Sequence, residues 1–234
     1  MLHSSVLRTI DVFLEGAAKP LIVILGPTAA GKTSVSLEVA KTVGCEIVNA
    51  DSRQLYRYLD IGTAKISEGE MHGVPHHLLS LKDPKEEVTV GWYQLEALRA
   101  IDDILARRKV PLLVGGSMLY VSSVIDGLTL APAADPALRG RLEKEYERDG
   151  GVALYKRLQS IDPDAAAAIH PGNKAYVVRA LELYETLKVP KSQAVPRTEL
   201  RSGAGCPYNL LVLGITRPKG VLQKRIEERV EEMF

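Results

Sequence analysis

A short loop with two glycines, a lysine and two threonines is the stretch in which residue types and spacing most directly predict chemistry. It follows the apolar residues 21–25 and consists of Gly26, Pro27, Thr28, Ala29, Ala30, Gly31, Lys32 and Thr33. Glycine permits the close approach and unusual dihedrals that backbone N–H groups need when they surround phosphate oxygens. The loop therefore matches a P-loop, the nucleotide-binding motif of many ATP-binding proteins.

Two side chains at the end of this loop could act directly on a bound phosphate. Lys32 would place a positive charge beside the phosphates, and the Thr33 hydroxyl would bind Mg²⁺ as the cofactor. The first turn of the next helix would add the positive end of its dipole. The loop thus predicts a diphosphate or triphosphate site. The reaction stays open, because kinases, nucleotidases and transferases of diphosphate-bearing groups all use such loops.

Polar and small residues follow two further predicted strands, at residues 46–50 and 110–114. They are Asp51, Ser52, Arg53 and Gln54 after the first strand, and Gly115, Gly116 and Ser117 after the second. Ligands of open α/β sheets bind outside the carboxyl ends of the strands, so Asp51 should lie near the phosphates. Its carboxylate could be a magnesium ligand, a general base or a helix N-cap.

The second of these strands lacks the aspartate with which ATP-hydrolysing P-loop proteins bind magnesium. Gly115 and Gly116 occupy that place and predict the close approach of a ligand or another backbone segment. Ser117 offers a hydrogen bond to that ligand. This departure counts against ATPase or GTPase chemistry.

The elements that must position these residues alternate between strands and helices. Strands are predicted at residues 21–25, 46–50, 110–114 and 210–215, and helices at residues 32–43, 92–109 and 221–234. Residues 138–148, 152–161, 164–169 and 174–187 are predicted to be four consecutive helices. We therefore predict an α/β fold: a P-loop NTPase-like parallel sheet flanked by helices, from residues 20–130 and 205–234, with an all-helical insertion at residues 131–204.

Composition argues against several classes of protein. Of 234 residues, 46% are hydrophobic and 25% charged, which is enough apolar sequence for one full core. No apolar stretch reaches the roughly 18 residues of a membrane span, and no signal peptide is recognisable, so we expect a cytoplasmic protein. Cys45 and Cys206 lack the spacing of metal ligands. With a net charge of +1, any RNA binding would need a local basic patch.

Two aromatic features suggest binding sites but have simpler interpretations. Adjacent side chains point in different directions, so His76 and His77 should not share one metal ion. Trp92 could stack on a base, but helical spacing favours an apolar stripe that faces the core. That stripe would consist of Trp92, Leu95, Leu98, Ile101, Ile104 and Leu105.

Five segments, taken in order, make the sequence similar to the tRNA dimethylallyltransferases. They are residues 26–33, 51–56, 60–65, 111–120 and 179–182. The resemblance covers about residues 20–234 and implies transfer of a prenyl group from dimethylallyl diphosphate to N6 of adenosine 37, beside the tRNA anticodon. In this family the P-loop holds the diphosphate leaving group. The family continues with further helices, so we expect a fragment.

The resemblance also implies roles for single residues around the phosphates. Asp51 matches the general base on the adenine amine, and residues 52–54 match the segment that meets the flipped base. Ser117 stands where the family usually has a threonine implicated in transfer. Lys219 stands where an arginine usually binds the diphosphate, with Arg217, two positions earlier, as the alternative. Ser80 stands where an aspartate is usual.

Contacts to tRNA are implied as well, both beside the P-loop and in the helical insertion. The implied contact residues are Asp51, Ser52, Arg53, Gln54, Ser117, Arg139, Ala175, Tyr176, Val177, Val178 and Arg179. Ala175 and Tyr176 stand where the family tends to have arginines. The expected partners are tRNA and dimethylallyl diphosphate, bound by a monomer without membrane association.

Three alternatives stay open at this point. An adenylate isopentenyltransferase would prenylate free AMP, ADP or ATP, although Arg139 and Arg179 of the insertion favour tRNA. A P-loop small-molecule kinase would turn over ATP and carry a lid of arginines. An RNA-binding fragment would bind tRNA without catalysis, and a prenylation assay would distinguish it from a transferase.

Overall fold

The computed structural model describes residues 3–126, 135–194, 206–231 and 233. The chain forms two compact units. Met1–Leu128 with Ser202–Phe234 is the core unit, and Thr129–Arg201 is the helical unit. The junctions predicted at residues 130–131 and 204–205 lie outside the described residues.

Helices and strands alternate through the core unit. The strands are β1 (Pro20–Leu25), β2 (Cys45–Asn49), β3 (His76–His77), β4 (Val110–Gly115) and β5 (Asn209–Gly214). In chain order the helices are α1 (Ser4–Gly16), α2 (Lys32–Val43), α3 (Glu68–Met71), α4 (Val90–Ala106), α5 (Met118–Ile125), α6 (Pro136–Asp149), α7 (Val152–Ile161), α8 (Pro163–Ala168), α9 (Lys174–Leu187), α10 (Lys191–Ala194) and α11 (Lys219–Glu231). Of these, α6 to α10 belong to the helical unit.

The five strands form one parallel sheet in the order β3-β2-β4-β1-β5. At the end of β1, Leu25 lies opposite Gly115 of β4 and Gly214 of β5. Since all strands run in the same direction, the segments that follow β1, β2 and β4 emerge at one edge of the sheet. The P-loop, Asp51 and Ser117 are therefore brought to the same edge.

Adjacent residues of the interior strand β1 pack into two different cores. Val23 belongs to a core that includes Tyr93 of α4. Ile24 belongs to another that includes Ile10 of α1. Burial of a parallel strand on both faces is expected when helices cover both sides of the sheet. The prediction of an α/β fold with a helix-flanked parallel sheet is confirmed.

Two predictions in the core unit need correction. The last strand was expected to be buried, but β5 is partly exposed along its length, because it lies at the sheet edge with β1 as its neighbour. The stripe predicted on α4 was wrong at Leu95, which is 48% exposed. Tyr93 is buried instead, and Trp92 packs partly buried against the same core, as predicted.

The helical unit has its own apolar core. The four predicted helices are confirmed as α6 to α9: the ends of α7 and α9 are as predicted, and those of α6 and α8 are shifted by one or two residues. Asp135 caps α6 by accepting hydrogen bonds from the backbone N–H groups of Ala137 and Leu138, and Asp162 caps α8. The core is formed by fully buried side chains that include Leu142, Leu154, Leu158, Val177 and Leu181.

Candidate active site

The P-loop joins β1 to α2 in a conformation that explains its glycine at position 31. Gly31 precedes the first residue of α2 and has φ +100°, in the left-handed region that side chains disfavour. The Lys32 ammonium donates hydrogen bonds to the carbonyl oxygens of Gly26 and Pro27, both at 2.9 Å. Lys32 is thus held against its own loop, at the edge predicted to bind phosphate.

The electrostatic surroundings of Lys32 lower the pKa of its ammonium group. Burial disfavours the charged form, Asp51 opposes this effect by attracting the charge, and Arg229 adds a smaller repulsion. Lys32 and Asp51 therefore influence each other electrostatically. An anionic ligand beside Lys32 would favour its charged form.

Asp51 begins a turn after β2. One carboxylate oxygen, Oδ1, accepts a hydrogen bond from the backbone N–H of Arg53 at 2.9 Å, and the backbone N–H of Asp51 donates to Oδ1 of Asn49 at 3.1 Å. The residues that follow form turns, so Asp51 is not a helix N-cap. One hydrogen bond to the carboxylate and one from the backbone N–H hold Asp51 in position.

The ends of β2 and β4 are joined by contacts that require a glycine. A Cβ atom on Gly115 would lie 2.1 Å from the carbonyl oxygen of Ala50, which is far too close. Ser117 donates its backbone N–H to that same oxygen at 3.2 Å, and its Oγ accepts the backbone N–H of Ser52 at 3.0 Å. Ser117 thus positions the segment that starts with Asp51. The predicted close approach at the glycine pair is confirmed for Gly115.

These segments surround an open cavity of about 660 Å³. Its walls include Lys32, Thr33, Asp51, Ser52, Arg53 and Ser117. Gln54 also lines the cavity and donates from Nε2 to the carbonyl oxygen of Thr63 at 3.2 Å. The structure therefore brings the phosphate loop, the candidate base and the candidate hydroxyl into one site.

Three arginines lie near the loop, and two of them, Arg225 and Arg229, were missed by the sequence analysis, which considered Arg217 only as the alternative to Lys219. Arg217 donates from Nε to the carbonyl oxygen of Ala30, and Arg225 of α11 donates from Nε to that of Ala29, both at 2.8 Å. Arg225 and Arg229 line the cavity. The spacing of Arg225 and Arg229 was a signal in the sequence, because residues four apart on a helix share one face.

Arg229 is the most suggestive of these arginines. One of its terminal nitrogens donates to the carbonyl oxygen of Thr63 at 2.9 Å. Its Nε is buried and has no hydrogen-bond partner among the described residues. Lys219, which was predicted to bind the diphosphate, is exposed at the start of α11. It is not among the described residues that line the cavity.

The motif at residues 60–65 forms a pinned loop beside the site. The buried Lys65 ammonium donates to Oδ1 of Asp60 at 2.8 Å, to Oγ of Ser80 at 2.9 Å and to the carbonyl oxygen of Tyr56 at 2.6 Å. Asp60 supplies the carboxylate in this cluster, and Ser80 supplies a hydroxyl.

The predicted tRNA contacts of the helical unit fall into two groups. Val177 and Val178 are buried in its core, at 0% and 1% exposure, so their side chains present no surface to RNA. This corrects the prediction, since the inward face of α9 carries both residues. Ala175 and Tyr176 are exposed, and the Lys191 ammonium lies 5.5 Å from the centre of the Tyr176 ring.

Two arginines of the helical unit that were predicted to contact tRNA form ion pairs within that unit. Arg139 lies 3.7 Å from Glu143 on the same helix. Arg179 donates to the buried carboxylate of Glu182 at 2.9 Å. Both arginines are partly exposed.

The two consecutive histidines have different partners. Nε2 of His77 lies 2.7 Å from Oε2 of Glu46, and Nδ1 of His76 lies 2.8 Å from the carbonyl oxygen of Val74. Burial lowers the pKa of His76. Groups of three or more His, Cys, Asp or Glu side chains that could hold a metal ion are absent from the described ranges.

A protein-family model identifies the family of this chain. The family model described as IPP transferase matches residues 54–234. The chain belongs to the IPP transferase family. This result confirms the resemblance inferred from the five sequence segments.

Curated proteins similar to this IPP transferase family member are called tRNA dimethylallyltransferases. The one from Symbiobacterium thermophilum is 46% identical over 216 residues, which are 92% of this chain and 66% of the relative. The one from Roseiflexus castenholzii is 47% identical over 216 residues, or 92% and 69%. The Bacillus subtilis protein is 39% identical over 222 residues, or 94% and 69%. The chain thus spans about two thirds of these relatives.

Solved structures give the same family. The full-length tRNA isopentenylpyrophosphate transferase from Bacillus halodurans is 43% identical with a TM-score of 0.60, over 92% of this chain and 66% of that protein. A eukaryotic dimethylallyltransferase described as acting on tRNA is 28% identical with a TM-score of 0.78, over 92% and 53%. No helix within the described ranges is both long and apolar enough to cross a membrane.

Proposed function

We propose that this chain transfers the dimethylallyl group of dimethylallyl diphosphate to N6 of adenosine 37 in the anticodon loop of tRNA and releases diphosphate. The observation that carries the proposal is the single cavity in which a phosphate-type loop, Asp51 and Ser117 meet. This combination suits a reaction with a diphosphate leaving group and a nucleophile that must lose a proton. The names of the relatives support the substrate class.

The phosphate half of the site would bind the leaving group. Lys32 would exchange its hydrogen bonds with the loop carbonyls for bonds to phosphate oxygens, and Arg225 and Arg229 would contribute further positive charge. A leaving diphosphate gains charge as its bond to carbon breaks, so fixed cations assist most in the transition state. Lys219, exposed on the same helix, would contribute less than these arginines.

Magnesium fits the residues at this end of the cavity. Thr33 follows Lys32 at the start of α2 and lines the cavity with its neighbours. Hydroxyl oxygens suit Mg²⁺, which commonly takes few protein ligands and completes its coordination with water and phosphate oxygens. When bound there, the ion would neutralise part of the diphosphate charge.

Asp51 would supply the general base. The exocyclic N6 amine of adenine is a weak nucleophile, so removal of its proton by the carboxylate assists attack on the allylic carbon. The C–N bond forms, the bond from that carbon to the diphosphate oxygen breaks, and the proton passes to Asp51. General-base assistance of this kind is typically worth about 10²–10⁴-fold in rate. Ser117 would position the turn that carries Asp51 and bind the transferring groups.

The RNA half of the proposal involves residues of both units. The adenine must leave its stack to reach Asp51, and this costs least in an unpaired loop. Ser52, Arg53 and Gln54 would meet the flipped base and its neighbours. Arg139, Ala175, Tyr176 and Arg179 would contact tRNA from the helical unit. We place this activity in a cytoplasmic monomer.

A transfer assay tests the proposal against its alternatives. The full chain is incubated with radiolabelled dimethylallyl diphosphate, Mg²⁺ and either an unmodified anticodon stem-loop RNA or AMP. We expect label in the RNA, at N6 of adenosine 37. Label in AMP alone would indicate an adenylate isopentenyltransferase, and phosphate release from ATP that Lys32→Ala abolishes would indicate a kinase or ATPase. RNA binding without transfer would indicate an RNA-binding fragment.

A further inference from the structure

Tyr58 is a large aromatic side chain that the fold displays to solvent beside the active site. It is 77% exposed, and its neighbours Leu59 and Ile61 are 39% and 69% exposed. Together, residues 58–63 form one wall of an open cavity of about 520 Å³. Exposed aromatic and apolar groups clustered in one loop commonly mark a binding surface.

The backbone at Tyr58 makes this display more unusual. Tyr58 has φ +67°, in the left-handed region that favours glycine and that bulky side chains rarely adopt. Such a conformation persists where surrounding contacts hold it in place, and it concentrates at functional sites. A glycine would relax the backbone here, so the tyrosine side chain itself calls for an explanation.

The surrounding contacts do hold the loop rigidly. Before Tyr58, the backbone N–H of Arg57 donates to the carbonyl oxygen of Lys82 at 2.7 Å. After it, the Thr63 hydroxyl donates to the carbonyl oxygen of Leu59 at 2.6 Å, and the Lys65 ammonium binds Asp60. Because both sides are fixed, the Tyr58 ring is offered from a preorganised position. Lys65 also balances the one acidic side chain of residues 58–63.

The 58–63 loop is continuous with the candidate active site. Arg53 lines both the active-site cavity and the cavity beside Tyr58. The carbonyl oxygen of Thr63 accepts hydrogen bonds from Gln54 at 3.2 Å and from Arg229 at 2.9 Å, and both of these side chains line the active-site cavity. A ligand that enters the active site and extends past Arg53 would therefore meet the Tyr58 ring.

We propose that Tyr58 is a stacking platform for an unpaired base of the RNA substrate, next to the base that reacts. This inference rests on the proposed function, since it takes the substrate to be a single-stranded RNA loop. Aromatic rings bind unpaired bases by stacking, and a neighbouring arginine binds the phosphate backbone that links them. Tyr58 would supply the ring, and Arg53 the charge between the two bases.

The experiment combines variants of Tyr58 with matched RNA probes. The full chain carries Tyr58→Gly, Tyr58→Phe or Tyr58→Leu, and binds an anticodon stem-loop RNA with unmodified adenosine 37. Phenylalanine keeps the aromatic face, leucine keeps apolar area without it, and glycine removes the side chain and relaxes the backbone. Further probes carry an abasic site in place of each loop nucleotide beside adenosine 37, one at a time.

Stacking predicts opposite effects on binding and on stability. Tyr58→Gly should raise the Kd for the RNA about 5- to 100-fold, as loss of one base–aromatic stack does. Its melting temperature should stay equal or rise, by up to about 4 °C, because the strained backbone relaxes. Tyr58→Phe should bind like the wild type, and Tyr58→Leu like Tyr58→Gly. One abasic probe should weaken wild-type binding without weakening Tyr58→Gly further.

Other outcomes overturn the proposal. Unchanged RNA affinity of Tyr58→Gly, with the wild type still binding and prenylating the stem-loop, overturns the platform but not the proposed function. Loss of self-association without loss of RNA affinity would show that Tyr58 contacts protein instead. A fall in both melting temperature and affinity would show a structural role. A wild-type chain that binds no RNA overturns both proposals.

Discussion

Two carboxylates at the two ends of β2 have very different surroundings. Glu46, near the start of the strand, is buried between Arg107, which donates to Oε2 at 2.9 Å, and His77, at 2.7 Å. Asp51, just after the strand ends, accepts one hydrogen bond within its own turn and lines the cavity with Lys32. A carboxylate between fixed partners stabilises the fold. A carboxylate at a cavity can bind or deprotonate a ligand.

The largest effect should follow from neutralising the cavity carboxylate. Asp51→Asn keeps the Oδ1 acceptor for the N–H of Arg53 but cannot take a proton, so turnover should fall by about two to four decades. Diphosphate affinity should change little. Steady-state transfer to the stem-loop and a titration with inorganic diphosphate measure the two quantities. Near-wild-type turnover at saturating substrates would refute the role of Asp51.

The next prediction compares two positively charged side chains of α11, Arg229 and Lys219. Arg229 lines the active-site cavity, whereas Lys219 is exposed and is not among the described residues that line it. Charge-assisted hydrogen bonds are worth about 1.5–3 kcal/mol, so Arg229→Ala should weaken diphosphate binding about 10- to 100-fold. Lys219→Ala is the matched control and should weaken it less than threefold, or about 0.6 kcal/mol. A larger loss for Lys219→Ala by calorimetric titration would restore the role predicted from sequence.

The carboxylate of Glu46 should affect the stability of the fold and the way in which that stability depends on pH. Hydrogen bonds from Arg107, assisted by His77, lower the pKa of Glu46 against the opposing effect of burial. A lowered pKa means that ionised Glu46 stabilises the fold above its unfolded pKa of about 4.3, and that this contribution is lost as pH falls through the folded value.

Glu46→Gln tests this expectation. The substitution should lower the free energy of unfolding by about 1–2 kcal/mol at neutral pH, and the difference from wild type should shrink below about pH 4. Urea unfolding at several pH values measures it. Turnover per folded molecule should be unaffected. A stability difference that does not depend on pH would contradict the ionised pair.

The smallest expected effect on binding concerns Tyr176 of α9, with Val178 on the same helix as its control. Tyr176 is exposed and Val178 is buried in the core of the helical unit. Tyr176→Ala should weaken RNA binding by about fivefold with little change in stability. Val178→Ala should instead cost about 1–3 kcal/mol of stability and leave the RNA affinity of the folded protein unchanged. The opposite pattern in thermal melts and binding titrations would reverse the assignment.

The active-site edge could largely be predicted from the sequence, because backbone geometry restricts which residues it accepts. A left-handed dihedral angle favours glycine at position 31, and a close backbone contact requires it at position 115. Asp51 was predicted to follow a strand directly. The spacing of Arg225 and Arg229 places both on one helix face, but it does not show which element that face contacts. Arg225 reaches the loop from 196 residues away in sequence, and the packing of α11 decides this contact.

The same limit applies to the face that each helix turns inward. Spacing gave the extent of α9, but it could not show that Val177 and Val178 point into the core while Tyr176 points out. On α4 it placed Leu95 inward, although the buried position belongs to Tyr93. Periodicity identifies helices, whereas the inward face depends on which neighbours cover it.

The most direct test of the central claim is single-turnover transfer with identification of the product. Wild type, Asp51→Asn and Glu46→Gln react with labelled dimethylallyl diphosphate and the anticodon stem-loop, below the melting temperature of each protein, and the digested RNA is analysed by mass spectrometry. We predict N6-dimethylallyl adenosine from position 37 at similar rates with wild type and Glu46→Gln, and a rate at least 100-fold lower with Asp51→Asn. Equal rates for Asp51→Asn and wild type would contradict the account.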